Sequence, residues 1–249
     1  MRFGGPVFCA ALALAAPLAA QDMTRDEARN QFVASNMIAT FYHELGHALV
    51  DILEIPVLGR EEDAVDALST LLIDYLWEPE DAEILIAEVA YGYALSIEHT
   101  DELPDAAWWA DHSLDMQRLA GVVCQFFGID PDARYELALD LGMPPEMAGK
   151  CVQTAEQVTA SWSVFLADLE EAPKRNSLRL VQPVADPWLA EVISEEIGLL
   201  NEQFGLPARV EVEIAECGEA NAFYVLGARR IIMCVEFAQW YAEMWEMDN

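Results

Sequence analysis

Apolar positions recur at helical spacing through most of this chain. Thr24-Arg25-Asp26-Glu27 has the Thr-x-x-Glu form of a capping box and opens a helix, or helix pair, that runs past Phe41, Leu45, Ala48, Leu49 and Ile52 to a stop at Pro56. Gly59 completes a turn, and a second helical pattern covers 61–77. Pro79 starts a third helix that ends near His99. A fourth spans Asp111 to Phe127, with Gly128 as its stop, and two more fall at about 131–141 and 145–170. Between Pro173 and Pro183 the segment holding Lys174, Arg175 and Asn176 breaks from the acidic helices before it and marks a boundary. Beyond it Trp188 to Phe204 is helical, and Arg209-Val210-Glu211-Val212-Glu213-Ile214 alternates with period two, as a half-buried strand does. Phe223 to Leu226 and Arg230 to Cys234 pair as a hairpin about Gly227-Ala228, and an aromatic helix from Glu236 to Trp245 closes the chain. The pattern predicts an α+β fold, mostly helical, with a small C-terminal antiparallel sheet.

The N-terminus adds a compartment to this picture. Arg2, the apolar run Val7 to Leu18 and the small residues Ala19-Ala20 read as a secretory signal over 1–20. The run is too short to span a membrane, and no other approaches the length needed. The organisation expected is a signal at 1–20, a helical region at 21–172 and a helix-plus-hairpin region at 183–249. Cys9 falls in the signal, which leaves Cys124, Cys151, Cys217 and Cys234. An even count in an exported chain points to two disulfides. Sequence allows three pairings, of which Cys124–Cys151 and Cys217–Cys234 each close a short loop within one region. A formal charge of −31 argues against nucleic acid or anionic lipid as partners. With 54% hydrophobic residues and acids spread throughout, the charge does not imply disorder.

The candidate chemistry lies in the first helix, where His43-Glu44-Leu45-Gly46-His47 is an H-E-x-x-H. Residues four apart sit about 40° from each other around an α-helix, so both imidazoles leave one face, as two ligands of a tetrahedral Zn²⁺ must. Glu44 flanks that face, placed to act as a general base in hydrolysis. The flanks are apolar, and two histidines and a glutamate buried there are costly without a partner. After the turn at Pro56 and Gly59, Glu62 and Asp66 lie i,i+4 on the next helix. In zincins whose third ligand is glutamate, a carboxylate on a later helix completes the site, and an aspartate one turn on accepts the free N–H of the first histidine. Glu61 and Asp63 compete on spacing, but only Glu62 has an acidic residue at i+4. An acidic first turn also complements the helix dipole with no metal involved.

His43-Glu44-Leu45-Gly46-His47-Ala48-Leu49 is followed by Pro56-Val57-Leu58-Gly59-Arg60-Glu61-Glu62-Asp63-Ala64, then by His112-Ser113-Leu114-Asp115, Gln117-Arg118, Cys124, Phe127-Gly128, Cys151 and Ser161-Trp162. In this order, over roughly 37–170, they resemble a bacterial domain-of-unknown-function family regarded as zinc metallopeptidases. Asn221-Ala222-Phe223-Tyr224 with Cys234-x-Glu236 also looks like that family. The same tetrapeptide is similar to the substrate-binding edge strand of neprilysin-like peptidases, where Asn-Ala grips the substrate backbone. There the strand precedes H-E-x-x-H; here it follows, which implies a circularly permuted arrangement.

Together these readings predict a secreted or periplasmic zinc metallopeptidase acting on peptides or proteins. His43, His47 and Glu62 would hold Zn²⁺, Glu44 would serve as base, and Asp66 would orient His43. Asn221, Ala222 and Tyr224 would bind substrate, with Tyr224 donating to a substrate carbonyl. His112 is the candidate for steadying an oxyanion, with Asp115 orienting it and Arg118 adding charge. The alternative for this segment is a capped helix start, with Asp111 as N-cap and Arg118 paired to an acid elsewhere. Trp108-Trp109 fits interhelix packing better than a peptide cleft, Tyr42 fits packing, and His99 fits a helix C-terminus. The hairpin at about 209–234 is expected to fold back against the H-E-x-x-H helix, since a zincin needs a sheet edge beside its metal. Two other functions share these residues: a non-catalytic zinc-containing binding or assembly protein, and a metal-dependent amidase acting on cell-wall material.

Overall fold

The computed structural model describes residues 23–99 and 108–249. The expected signal, with Cys9, lies outside the described residues, as do Thr100 and Asp101.

Helix α1 (Arg25–Ile52) is the axis of the molecule. The capping box forms as read: Glu27 N–H donates to Thr24 Oγ1 and Thr24 N–H donates to Glu27 Oε2 at 2.8 Å. One unbroken helix then reaches the histidines. Phe32, Met37, Phe41, Tyr42 and Ala48 are fully buried, because α1 is covered by α2 (Glu61–Leu76), α3 (Pro79–Glu98), α7 (Pro187–Gln203), α8 (Val235–Asp248) and the sheet. A helix covered on so many sides must be apolar nearly all round, and each large side chain taken from water stabilises by about 1.5–3 kcal/mol. The approach of α2 to α1 depends on Gly46: a Cβ there would sit 2.7 Å from Val65 Cβ.

Helix α4 (Asp115–Ile129) corrects the fourth expected helix at both ends. Leu114 is extended, with its N–H bonded to Gln117 Oε1, so Asp111 is not an N-cap and His112 precedes the helix. Gly128 does not stop α4 but packs it: a Cβ there would meet Cys151 O at 2.4 Å. One turn earlier, Cys124 bonds Cys151 across the same seam, fastening α4 to α6 (Ala148–Glu171). The segment expected at 131–141 is the short α5 (Tyr135–Asp140), and that expected at 145–170 opens as a 3-10 turn before α6.

The sheet is mixed, which corrects the antiparallel expectation. Strands β1 (Leu178–Leu180), β2 (Val210–Ala215), β3 (Ala222–Val225) and β4 (Arg230–Cys234) lie in the order β1-β2-β4-β3. Only β3 and β4 run antiparallel; β1 pairs parallel with β2, and β2 parallel with β4. The β1–α7–β2 crossover makes the first of these parallel pairs possible. β1 falls inside the stretch read as a boundary; three residues are too few for a visible period. Asn201 of α7 supplies its missing edge partners, accepting from Leu178 N–H and donating to Leu178 O. In the hairpin the left-handed residue is Arg229, at φ 50°, rather than Gly227. As expected, the second disulfide joins Cys217 to Cys234, and the hairpin packs against α1. One core cluster takes residues from α1, α2, α7, the sheet and α8. No helix among the described residues is long and apolar enough to cross a membrane.

Two outcomes test this packing. Gly46→Ala forces Val65 away, an overpacking that costs about 1–3 kcal/mol, so the melting temperature should drop by roughly 3–10 °C. An unchanged melting curve would mean the α1–α2 crossing has slack. The second concerns Glu196, 2% exposed on α7, which accepts from the Tyr42 hydroxyl while Trp77 Nε1 donates to the same oxygen of Tyr42 at 3.2 Å. Burial pushes the Glu196 carboxyl from 4.5 up to about 7, against the Tyr42 bond, which favours the charged form. The folded state therefore holds this proton more tightly than the unfolded chain. Its stabilising contribution is full below about pH 4.5 and is lost as pH rises through about 7. Glu196→Gln should raise the melting temperature relative to the parent at pH 8 but not at pH 5; an equal effect at both would remove the ionised carboxylate as its cause.

Candidate metal centre

His43 and His47 leave α1 on the face turned to the first turn of α2, and Glu62 meets them from there. His43 Nε2 is 3.1 Å and His47 Nε2 3.3 Å from Glu62 Oε2, and the two nitrogens are 3.3 Å apart. The other nitrogen of each ring is taken: His43 Nδ1 lies 2.7 Å from Asp66 Oδ1, and His47 Nδ1 lies 2.7 Å from Glu61 Oε1. Those carboxylates hold the ring N–H on Nδ1, so in the neutral tautomers both Nε2 atoms are bare lone pairs facing a carboxylate oxygen. Three acceptors at this separation repel unless a cation lies among them. Bonds of about 2.0–2.1 Å to a tetrahedral ion would set its ligands about 3.3 Å apart. His43, His47 and Glu62 thus form a set that could hold a metal ion.

The surroundings explain how the charge is tolerated. Burial works to raise Glu62, but bonds from His112, His43 and His47 outweigh it and hold the carboxyl far below the usual range. Burial likewise opposes ionisation of Asp66, and is outweighed by Arg118 and His43; Arg118 Nε and Nη2 donate to its two oxygens at 2.7 and 2.8 Å. Burial alone would lower His43, yet its bonds to Asp66 and Glu62 raise it to about 9. Glu44, beside the histidines and 6% exposed, is pushed above the usual carboxylate range by burial, with the two imidazoles pulling the other way.

Of the expected site residues, His43, Glu44, His47, Glu62, Asp66 and His112 are brought together. His112 stands at the rim, its Nε2 2.9 Å from Glu62 Oε2 and its ring stacked on His43 with centroids 5.7 Å apart. Asp115 does not orient it; Asp115 Oδ2 accepts from Ser96. Arg118 is committed to Asp66, the partner the alternative reading left unnamed. Glu61, weighed as a rival ligand, instead holds His47, a role the sequence hints at only through the bare Nδ1 of that ring. Asp63 is exposed. Trp108 and Trp109, expected to pack between helices, are 65% and 89% exposed.

A groove of about 750 Å³ runs across the face, bounded by His43, Glu44 and His47 on one side and by Asn221, Ala222, Phe223 and Tyr224 on the other. β3 is an edge strand, so its outer side is free to meet an extended chain. Glu236 accepts from Cys217 and Gly218 N–H, which with the disulfide fixes the loop leading into Asn221. Asn221 Oδ1 accepts from Ala222 N–H. The Tyr224 hydroxyl is not open to a substrate carbonyl: it donates to Asp51 Oδ2 at 2.6 Å and ties β3 to α1.

No curated protein and no solved structure is significantly similar to this chain. A sequence family, DUF4344, described as putative metallopeptidase, matches residues 9–166 and 174–249. That match spans nearly the whole chain, including every residue of the His43–His47–Glu62 set and the β3 edge beside it, and the chain belongs to this family.

Proposed function

We propose that this protein is an exported, zinc-dependent peptidase that cuts peptide bonds in the groove between α1 and β3. The observation that carries the reading is the convergence of three lone-pair donors, with Asp66 and Glu61 fixing the tautomers of both histidines. A mixed set of two imidazoles and one carboxylate suits Zn²⁺ and leaves one position open. Bound there, Zn²⁺ would supply Lewis acidity toward a peptide carbonyl and a water molecule. Glu44 takes the proton from that water and returns it to the leaving amine; burial, by raising its affinity for the proton, suits it to both transfers. His112, at the rim with its ring against His43, would turn from Glu62 to donate to the oxygen on which charge develops. Asn221 and Ala222 align the substrate as an added strand along β3, in the permuted order relative to neprilysin-like peptidases. Both disulfides and the signal read at 1–20 support export to the periplasm or beyond.

Metal analysis of the purified chain should find about one zinc per molecule, lost in His43→Ala, His47→Ala and Glu62→Ala. Asp66→Asn should weaken zinc binding by about 10–100-fold. Glu44→Gln should keep zinc while cleavage of an unbiased peptide library falls by at least about 10²-fold. Loss of zinc in the Gln variant would make Glu44 a ligand and not a base.

Zinc must also compete with protons. His43 is raised to about 9 in the metal-free protein, so at pH 7 it carries a proton that zinc displaces. Apparent zinc affinity should rise about tenfold per pH unit between pH 6 and 8, with proton release visible by calorimetry in buffers of different ionisation enthalpy. An affinity independent of pH would place His43 in the neutral form before metal arrives.

A further inference from the structure

A second cavity, of about 300 Å³, lies behind Glu44 and meets the groove at His43, Glu44, His112, Asn221 and Ala222, which line both. Its inner walls include Tyr93 and Ser96 of α3, Asp115 and Arg118 of α4, and Trp240 and Tyr241 of α8. Such a pocket beside a hydrolytic centre receives whichever substrate side chain flanks the bond being cut. The lining mixes apolar side chains such as Ile73, Ile86, Val89 and Val122 with charged ones. Arg118 is neutralised by its two bonds to Asp66, and its guanidinium lies 5.1 Å from the Tyr93 ring centre. Asp115 receives the Ser96 hydroxyl at 2.6 Å, and among the described residues no cationic side chain pairs with it. It lies within electrostatic reach of both Tyr93 and Tyr241.

We propose that this cavity is the specificity pocket of the peptidase and takes the side chain of a lysine or arginine flanking the scissile bond, its charged head against Asp115. The inference rests on the peptidase reading above. An ammonium has three donors and no acceptor, and the Asp115 carboxylate, an acceptor only, keeps lone pairs beyond the one that receives Ser96. The aliphatic stem lies along the aromatic wall of α8, where Trp240 and Tyr241 cover it. A neutral side chain of equal length fills the same space but strips water from Asp115 without replacing it, so it is selected against.

The test uses paired extended peptides differing only by lysine or norleucine at one position, bound to the Glu44→Gln protein and measured by calorimetry. The lysine peptide should bind at least about tenfold more tightly, a ratio that shrinks with added salt. Asp115→Asn should bring the two affinities together, and Asp115→Glu should keep them apart. Should Asp115→Asn fail to fold, the lysine-to-norleucine ratio in the Asp115-containing protein and its salt dependence decide alone. Equal or reversed affinities, or preference for a glutamate peptide, which would make Arg118 the recognising group, overturn the proposal. In parallel, the zinc-loaded parent is profiled on an unbiased peptide library. Cuts next to lysine or arginine support the pocket assignment, and cuts with no basic preference overturn it while leaving the peptidase reading intact. No cut at all overturns the peptidase reading, and the binding ratio then judges the pocket by itself.

Discussion

Everything in this structure is arranged around three lone-pair donors held at mutual contact distance where the apolar core meets an open groove. His43 Nε2, His47 Nε2 and Glu62 Oε2 stand 3.1–3.3 Å apart, a cluster that is repulsive in the neutral state. Without metal a proton on His43 relieves it by bonding to Glu62, and the surrounding elements fix each member in place. The histidines are set four apart on the most buried helix of the fold, and the carboxylate is delivered by a helix that Gly46 lets approach to contact with Val65. A methyl group at that one crossing would separate the donors, so the glycine belongs to the site as much as the ligating atoms do.

The charge around this cluster follows a chain of pairings that runs outward from it. His43 leans on Asp66, and Asp66 is clamped by Arg118, which reaches across from α4. A buried carboxylate and guanidinium are each costly alone, and bidentate geometry is what makes burial of the pair tolerable. α4 must then be held firmly in place. The Cys124–Cys151 disulfide and the close seam at Gly128 do so by fastening α4 to α6. His47 is steadied more cheaply, by Glu61 at the half-exposed start of α2.

On the other wall the same economy applies to the hairpin. β3 is an edge strand of four residues that would be weakly placed by backbone pairing alone. The Cys217–Cys234 disulfide, the Glu236 carboxylate on two backbone N–H groups and the Tyr224–Asp51 bond each tie it down from a different side. The result is a groove with one wall from α1 and the other from β3, each held by contacts within the protein. Pre-set walls reduce the ordering cost of binding an extended chain.

What local sequence determined is the set of elements and the chemistry each carries. The capping box at Thr24, the four-residue spacing of His43 and His47, the paired spacing of Glu62 and Asp66, the alternation at 209–214 and the short cysteine loops all express periodicities or contacts within one segment, and each is realised. What the tertiary structure alone decided is which charged or aromatic group on one element meets which on another. Arg118 belongs to Asp66, Tyr224 to Asp51, Tyr42 to Glu196 and Glu61 to His47, and Trp108 and Trp109 face solvent. None of these follows from spacing, because a side chain's period specifies the face it leaves from and not what docks against that face. The mixed sheet and the passage of α4 through Gly128 were hidden for the same reason. A three-residue β1 has no period to read, and a glycine that ends a helix looks identical in sequence to one that lets a second helix come close.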